Sequence, residues 1–283
     1  IGVLVAQSET RAQVGNNARI ITTKGSVEIM AGGKVKQIVV MAAATAGGGS
    51  AAVGASVNVG VFEQKVLALV GDNAELIAEN LEAGQNTVIL AEGENQTIMV
   101  TIAGAAAPSG IGVSGTVPVV VSESTIRARL GNGSRAEAGD SVVVSADLIT
   151  GFYSVGGAIA LAGGSAAVGA TISTMVIGNT VEALAENAAK LIAHAATNTT
   201  QGLLAGVKLP NRTERRRGVT VNAQADNRFL MASMSGAATT GTAAVSGVIS
   251  TLVIKNTVRA AIRDRSHVTA GYDDTGAATS GGG

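Results

Sequence analysis

Gly48-Gly49-Ser50-Ala51-Ala52-Val53-Gly54-Ala55 returns unchanged as Gly163-Gly164-Ser165-Ala166-Ala167-Val168-Gly169-Ala170, at an offset of 163 − 48 = 115 residues. A degenerate copy lies between them, Gly110-Ile111-Gly112-Val113-Ser114-Gly115, with Val113 in the place of Val53 (113 − 53 = 60). Another follows at Thr242-Ala243-Ala244-Val245-Ser246-Gly247, with Val245 in the place of Val168 (245 − 168 = 77). Self-similarity of this kind identifies a repeat architecture before any single motif is weighed.

The repeat extends beyond the octapeptide. Each copy is followed by a β-rich run: Ser56–Val61, Thr116–Val121, Thr171–Val176 and Val248–Val253. A second signature comes next, Gln64-Lys65-Val66-Leu67-Ala68, Ser124-Thr125-Ile126-Arg127-Ala128, Asn179-Thr180-Val181-Glu182-Ala183 and Asn256-Thr257-Val258-Arg259-Ala260. A turn closes each: Gly71-Asp72-Asn73-Ala74, Gly131-Asn132-Gly133-Ser134, Glu186-Asn187-Ala188 and Asp264-Arg265-Ser266. Thr10–Ala18 matches Val66–Ala74 at 66 − 10 = 56. The chain opens and closes inside repeats, so we expect a section of a longer array.

Composition narrows the architecture. Hydrophobic residues make up 46% of the 283 residues, but aromatics only 2%, with 38 Gly and no Trp. A core of Ala, Val, Ile and Gly has closely spaced backbones, which suits stacked coils better than a thick sandwich. Lys plus Arg balance Asp plus Glu at 20 each, so net charge favours neither nucleic acid nor an anionic membrane. There is no Cys, which excludes disulfides and thiolate metal sites. The apolar runs Gln37–Ala46 and Tyr153–Ala162 are too short to span a bilayer as helices, and no membrane insertion is expected.

Along the chain we place repeats at about 1–35, 36–93, 94–147, 148–226 and 227–283. Short strands are expected at Ile1–Val5, around Ile20-Ile21, at Val27 and Ile29, at Gln37–Met41, Ala52–Val61, Val66–Val70 and Thr87–Leu90. Ala74–Leu81 has helical propensity, but its counterparts contain Gly and Ser, so it reads as a strand. Pro118 lacks an N–H and is expected at a strand edge, a corner or a bulge. The fourth repeat carries an excess at residues 195–217, expected to leave the stack as a loop. Gly218–Ala223 rejoins the pattern of Val142–Ala146. Residues 272–283 begin another small-residue segment or an unstructured tail.

Helical repeats are excluded because the apolar residues alternate with period two. Blades and sandwiches are disfavoured by the lack of aromatic anchors and hairpin turns. The expected fold is therefore all-β, a parallel β-solenoid (β-helix) of about five imperfect repeats of roughly 56 residues, a length suited to two or three coils per repeat. The Gly-Gly-Ser-Ala-Ala-Val-Gly-Ala block, the Val-rich strand, Asn-Thr-Val-x-Ala and Gly-Asp-Asn-Ala together resemble the repeats of large bacterial surface exoproteins, the leukotoxin-type filamentous adhesins and other β-strand-repeat passengers of type V secretion (autotransporters). The resemblance implies a secreted, surface-held stalk in adhesion or extracellular assembly. It brings no catalytic residues.

Candidate sites are few. His194 and His267 occupy different repeat positions and keep no common spacing to carboxylates, so no metal site is expected. Asp72, Asn73, Asn132, Asn187 and Asp264 read as turn residues. Asp273-Asp274 is a paired carboxylate of the sort used by polysaccharide-cleaving β-helix enzymes, but it has no partnering base. Arg212, Arg215, Arg216 and Arg217 in the insertion form the best candidate for recognition, whether of an anionic glycan or of a neighbouring filament. The reading is thus a non-catalytic extracellular structural and adhesive stalk without cofactors. Its expected partners are adjacent repeats, other copies of itself, or a host glycan or protein, and not nucleic acid. The alternatives are a self-assembling filament or matrix subunit and, third, a polysaccharide-degrading enzyme.

Overall fold

The computed structural model describes residues 1–78, 84–194, 207–208, 215–216 and 218–271. Among these the chain is all-β, without helix. It passes in turn through a long strand, a short strand and a second long strand: β1 (Gly2–Val14), β2 (Arg19–Thr22), β3 (Val27–Ala46); β4 (Ala51–Val70), β5 (Glu75–Ala78), β6 (Asn86–Ala107); β7 (Ile111–Leu130), β8 (Arg135–Ala138), β9 (Ser141–Ala162). Then come β10 (Ala166–Ala185), β11 (Lys190–Ala193), the two-residue β12 (Val207–Lys208) and β13 (Arg215–Arg216), β14 (Gly218–Thr239), β15 (Ala243–Ile262) and β16 (His267–Ala270).

Three parallel sheets result. The first long strands form sheet A, β1-β4-β7-β10-β15; the short strands form sheet B, β2-β5-β8-β11-β16; the second long strands form sheet C, β3-β6-β9-β14. This arrangement is compatible with a β-solenoid. Register follows the sequence repeat: Val53 pairs with Val113, Val113 with Val168 and Val168 with Val245. Thr10 likewise pairs with Val66, Gln64 with Ser124, and Asn179 with Asn256.

Two expectations are corrected. Each sequence repeat makes one passage through the three sheets rather than two or three, because β3 and β4 are single strands of 20 residues, about 66 Å at about 3.3 Å per residue. The Gly/Ala segments between the expected short strands lie inside these strands or at the turns joining C to A. Pro118 sits mid-strand in the central strand of sheet A, at neither an edge nor a corner. Its ladder with β4 is continuous (Asn58 opposite Pro118), while the ladder with β10 lapses at Val117 and Pro118 and resumes at Val119 in the same register. The missing N–H thus costs a gap on one side, not a bulge.

The interior tapers. At the sheet B end, Val66, Val70, Leu76, Ile89, Ile126, Leu130, Leu148 and Leu191 fill a wide core bounded by all three sheets. Farther along, sheets A and C face each other across Phe62, Met99, Val120, Phe152, Met175 and Ile177. Near the C-to-A turns only Ala remains, at Ala52, Ala105 and Ala107 and at Ala160, Ala162 and Ala167. The backbones touch there: a Cβ on Gly54 would lie 2.1 Å from the Gly104 carbonyl oxygen, and one on Gly169 2.5 Å from that of Gly236.

The A-to-B turns stack as well. Asn17, Asn73, Gly133, Ala188 and Arg265 all adopt left-handed φ, between 54° and 64°. The N–H of each of the first four bonds the next turn's carbonyl, as in Ala188 N–H to Asp264 O at 2.8 Å. Asn and Gly suit this conformation; Ala does not, at a cost of about 1–2 kcal/mol. Ala188→Gly is therefore expected to raise stability by about 0.5–1 kcal/mol once glycine's extra entropy is offset, read as a higher urea midpoint at unchanged slope.

Of the excess expected to leave the stack at residues 195–217, only 207–208 and 215–216 are among the described residues. Val207 pairs with Arg216 and Lys208 with Arg215 in an antiparallel pair. The chain rejoins sheet C with Val219 opposite Val142 and Ala223 opposite Ala146. Of Ala74–Leu81, Glu75–Ala78 is a strand; residues 79–83 and the tail 272–283 lie outside the described residues.

Candidate functional site

Charge and polarity divide the molecule into two halves along the strands. The half next to sheet B carries ion pairs that link neighbouring coils. Arg127 Nε donates to Glu182 Oε2 at 2.8 Å from β7 to β10, and Arg19 pairs with Glu75 at 2.9 Å from β2 to β5. Arg129 lies 3.0 Å from Asp72 and 3.4 Å from Glu186, which also meets Arg263 at 3.0 Å. These bridges clamp the stack on its outside. The exposed Arg19–Glu75 pair contributes about 0.2–1 kcal/mol, whereas the Glu182 and Glu186 carboxylates are largely covered.

Asp72 is the turn residue with the clearest electrostatic role. Its Oδ1 accepts from the Asn132 N–H at 2.9 Å. That bond, with Arg129 adding to it, holds the carboxyl below the usual carboxylate range. A depressed folded-state pKa gives stability that is present above the unfolded value and lost as pH falls through the folded one. Asp72→Asn can still accept the bond but does not titrate. We expect it to lose less stability than the parent between pH 7 and pH 3, by about 0.5 kcal/mol or less for so exposed a group, measured as paired thermal melts.

The sequence candidates separate on inspection. Arg215 and Arg216 form β13; Arg212 and Arg217 lie outside the described residues, as do Asp273 and Asp274. His194 Nε2 is 2.9 Å from Glu137 Oε1, and Glu137 also pairs with Arg135. His267 Nε2 lies 2.9 Å from Thr269 Oγ1. The histidines occupy different levels, since Lys190 is the residue opposite His267. Among the described residues no three His, Asp or Glu side chains gather as metal ligands would. Asp72, Asn73, Asn132, Asn187 and Asp264 all fall in the A-to-B turns.

The other half has no charge and an unusual polarity. Between the aromatic layer and the Ala-lined edge, the inward side chains include Ser56, Asn58, Thr101, Thr116, Thr171 and Ser173, all buried. Thr116 Oγ1 donates to Thr171 Oγ1 at 3.0 Å, Thr171 to the Met234 carbonyl at 2.7 Å, and Asn58 Nδ2 to Thr101 Oγ1 at 3.3 Å. The alternate, outward positions are aliphatic. Val53 is 61% exposed on sheet A; Ile38 at 73% and Ile159 at 56% are exposed on sheet C. A shallow hollow of about 430 Å³ at the C-to-A turns is lined by Ala106, Pro108, Leu161, Gly163, Ala238 and Thr240 among others, with no titratable group. Site reading by motif missed this apolar exterior. The signal for it was the length of the charge-free windows on both sides of each Gly-rich turn.

No protein-family model, curated protein or solved structure matches the chain.

Proposed function

We propose that this chain forms an extracellular parallel β-solenoid, a non-catalytic structural and adhesive array of the bacterial surface. The observation that carries the reading is the in-register pairing of equivalent repeat residues, Val53 to Val113 to Val168 to Val245. Such a structure grows by addition of coils along one axis, each touching its neighbours. Its work is then geometric: a stiff body that holds binding surfaces in place, with the insertion at 195–217 presenting local chemistry. The resemblance of the repeats to surface exoproteins supplies the location. Antibody labelling of intact cells carrying the protein is the test. Labelling without permeabilisation is expected; labelling only after permeabilisation overturns the location.

A second reading is self-assembly into filaments, through strand pairing between sheets of separate copies. Concentration-dependent fibre formation by the isolated chain would favour it over the adhesive reading.

A further inference from the structure

Residues 37–62, 95–122, 148–181 and 229–254 contain no Asp, Glu, Lys or Arg, although the chain has 20 acidic and 20 basic residues. Each window runs out along a C strand, around a turn of Gly, Ser, Thr or Pro, and back along an A strand. In-register stacking superimposes the four windows. One half of the molecule, comprising both faces and the edge that joins them, is therefore without charge. Over that half the outward rows are largely aliphatic, with Val57, Val119 and Ile172 on sheet A and Val40, Ile102 and Ile159 on sheet C, while the inward rows combine the Phe and Met layer and small Gly and Ala with buried hydroxyl and amide side chains such as Ser56, Asn58, Thr101 and Thr116.

We infer that this edge enters a lipid bilayer, so that the adhesive partner of the array is a membrane. The inference rests on the stacked-array reading above. Three observations select a bilayer over a second copy of the chain. A protein partner covers one face, whereas a bilayer surrounds both faces and the turns, and all three are uncharged here. The charges begin again at matching heights, at Glu63 and Glu123 on sheet A and at Lys36 and Arg228 on sheet C; Gln64 reaches across to the Gly33 and Glu94 carbonyls at that level. The charge-free arms, Gln37–Ala46 and Ala51–Phe62, extend about 33–40 Å at about 3.3 Å per residue, against about 30 Å for the hydrocarbon layer. Uncharged, largely aliphatic outward positions, with most hydroxyl and amide side chains turned inward, are what strands in a bilayer require. The expectation of no insertion was framed on helices, which need about 20 apolar residues; a strand needs about 9–11. Unpaired backbone is costly in hydrocarbon, so each end strand needs a further strand beside it, from the same array or from another copy.

The test uses the 283-residue chain and phosphatidylcholine vesicles. Flotation with the vesicles is expected, undiminished in 0.5 M salt (a concentration of about 0.5 M leaves only short-range electrostatics). Val57→Lys and Ile159→Lys, one on each face, should each lower the vesicle-bound fraction at least tenfold with circular dichroism and melting unchanged. The chain has no Cys, so Val57→Cys, Ile159→Cys and Lys65→Cys can carry an environment-sensitive fluorophore singly. The first two should shift to the blue and be quenched by brominated lipid, and the third should not. Failure to float, or a response from one face only, overturns the inference. So does a lipid-independent dimer that both Lys variants abolish, which would identify a second copy as the occupant. Failure of the array reading itself would appear separately, as loss of the β spectrum and of the extended shape in scattering without lipid.

Discussion

Gly163→Ala is expected to destabilise the chain by about 3 kcal/mol or more, while Gly157→Ala, inside β9, should change stability by about 1 kcal/mol or less. A Cβ on Gly163 would lie 1.9 Å from the Pro108 carbonyl oxygen; one on Gly157 meets nothing within 4 Å. The difference comes from stacking. Gly163 rests on the turn of the preceding coil, as Gly110 rests on Ser50 and Gly241 on Gly164, with Cβ-to-oxygen distances of 2.0 and 1.9 Å. The obstacle is backbone, which cannot swing aside as a side chain does. Relief therefore requires the two coils to part at the turn, breaking bonds such as Gly163 N–H to the Ala107 carbonyl at 2.8 Å. Paired denaturant titrations of the two variants check this. Equal midpoints would mean that the turns do not rest on one another.

What could be read from the residues and what could not follows from the same geometry. Parallel in-register stacking places identical residues side by side, so the offsets between repeats became the strand register directly: Thr10 opposite Val66, Val168 opposite Val245, Val219 opposite Val142. Strand length was not legible, because Gly and Ala ordinarily weaken strands. In this chain they mark where sheets A and C touch, as at Gly54 and Gly169, and the strand continues through them. The period-two alternation over Ala52–Val61 was legible, but not which set points inward. Hydrophobicity would send Val53, Val57, Val59 and Val61 to the core; the structure buries Ala52, Ser56 and Asn58 instead. Only small or hydrogen-bonded groups fit between sheets that close. For the same reason the apolar exterior was hidden from a motif search, which looks for chemistry-bearing residues, while the Arg-rich insertion drew attention through composition alone.

Phe152→Ala is expected to cost about 3–5 kcal/mol, the largest effect of any truncation in the interior. Phe152 is fully buried, packs with Phe62, Met99, Val120, Met175 and Ile177, and stacks against Phe229 with ring centroids 6.3 Å apart and planes 22° from parallel. With three Phe in the whole chain, this layer holds all of them at one height, where the broad aliphatic core gives way to the hydroxyl-lined half. Nothing large can relax into the space from the edge, since the next inward positions, Ser154, Gly156 and Ala158, are small. The cavity term is therefore kept except for what Met99 and Met175 within the layer refill. Tyr153→Ala is the control: one residue away, it points outward and is 37% exposed, so its loss should cost about 1 kcal/mol or less in lipid-free buffer. Urea unfolding of both variants separates the cases. If Phe152→Ala proved as mild as Tyr153→Ala, the aromatic layer would not be the joint that holds sheets A and C at their spacing, and the taper from wide core to narrow edge would need another cause.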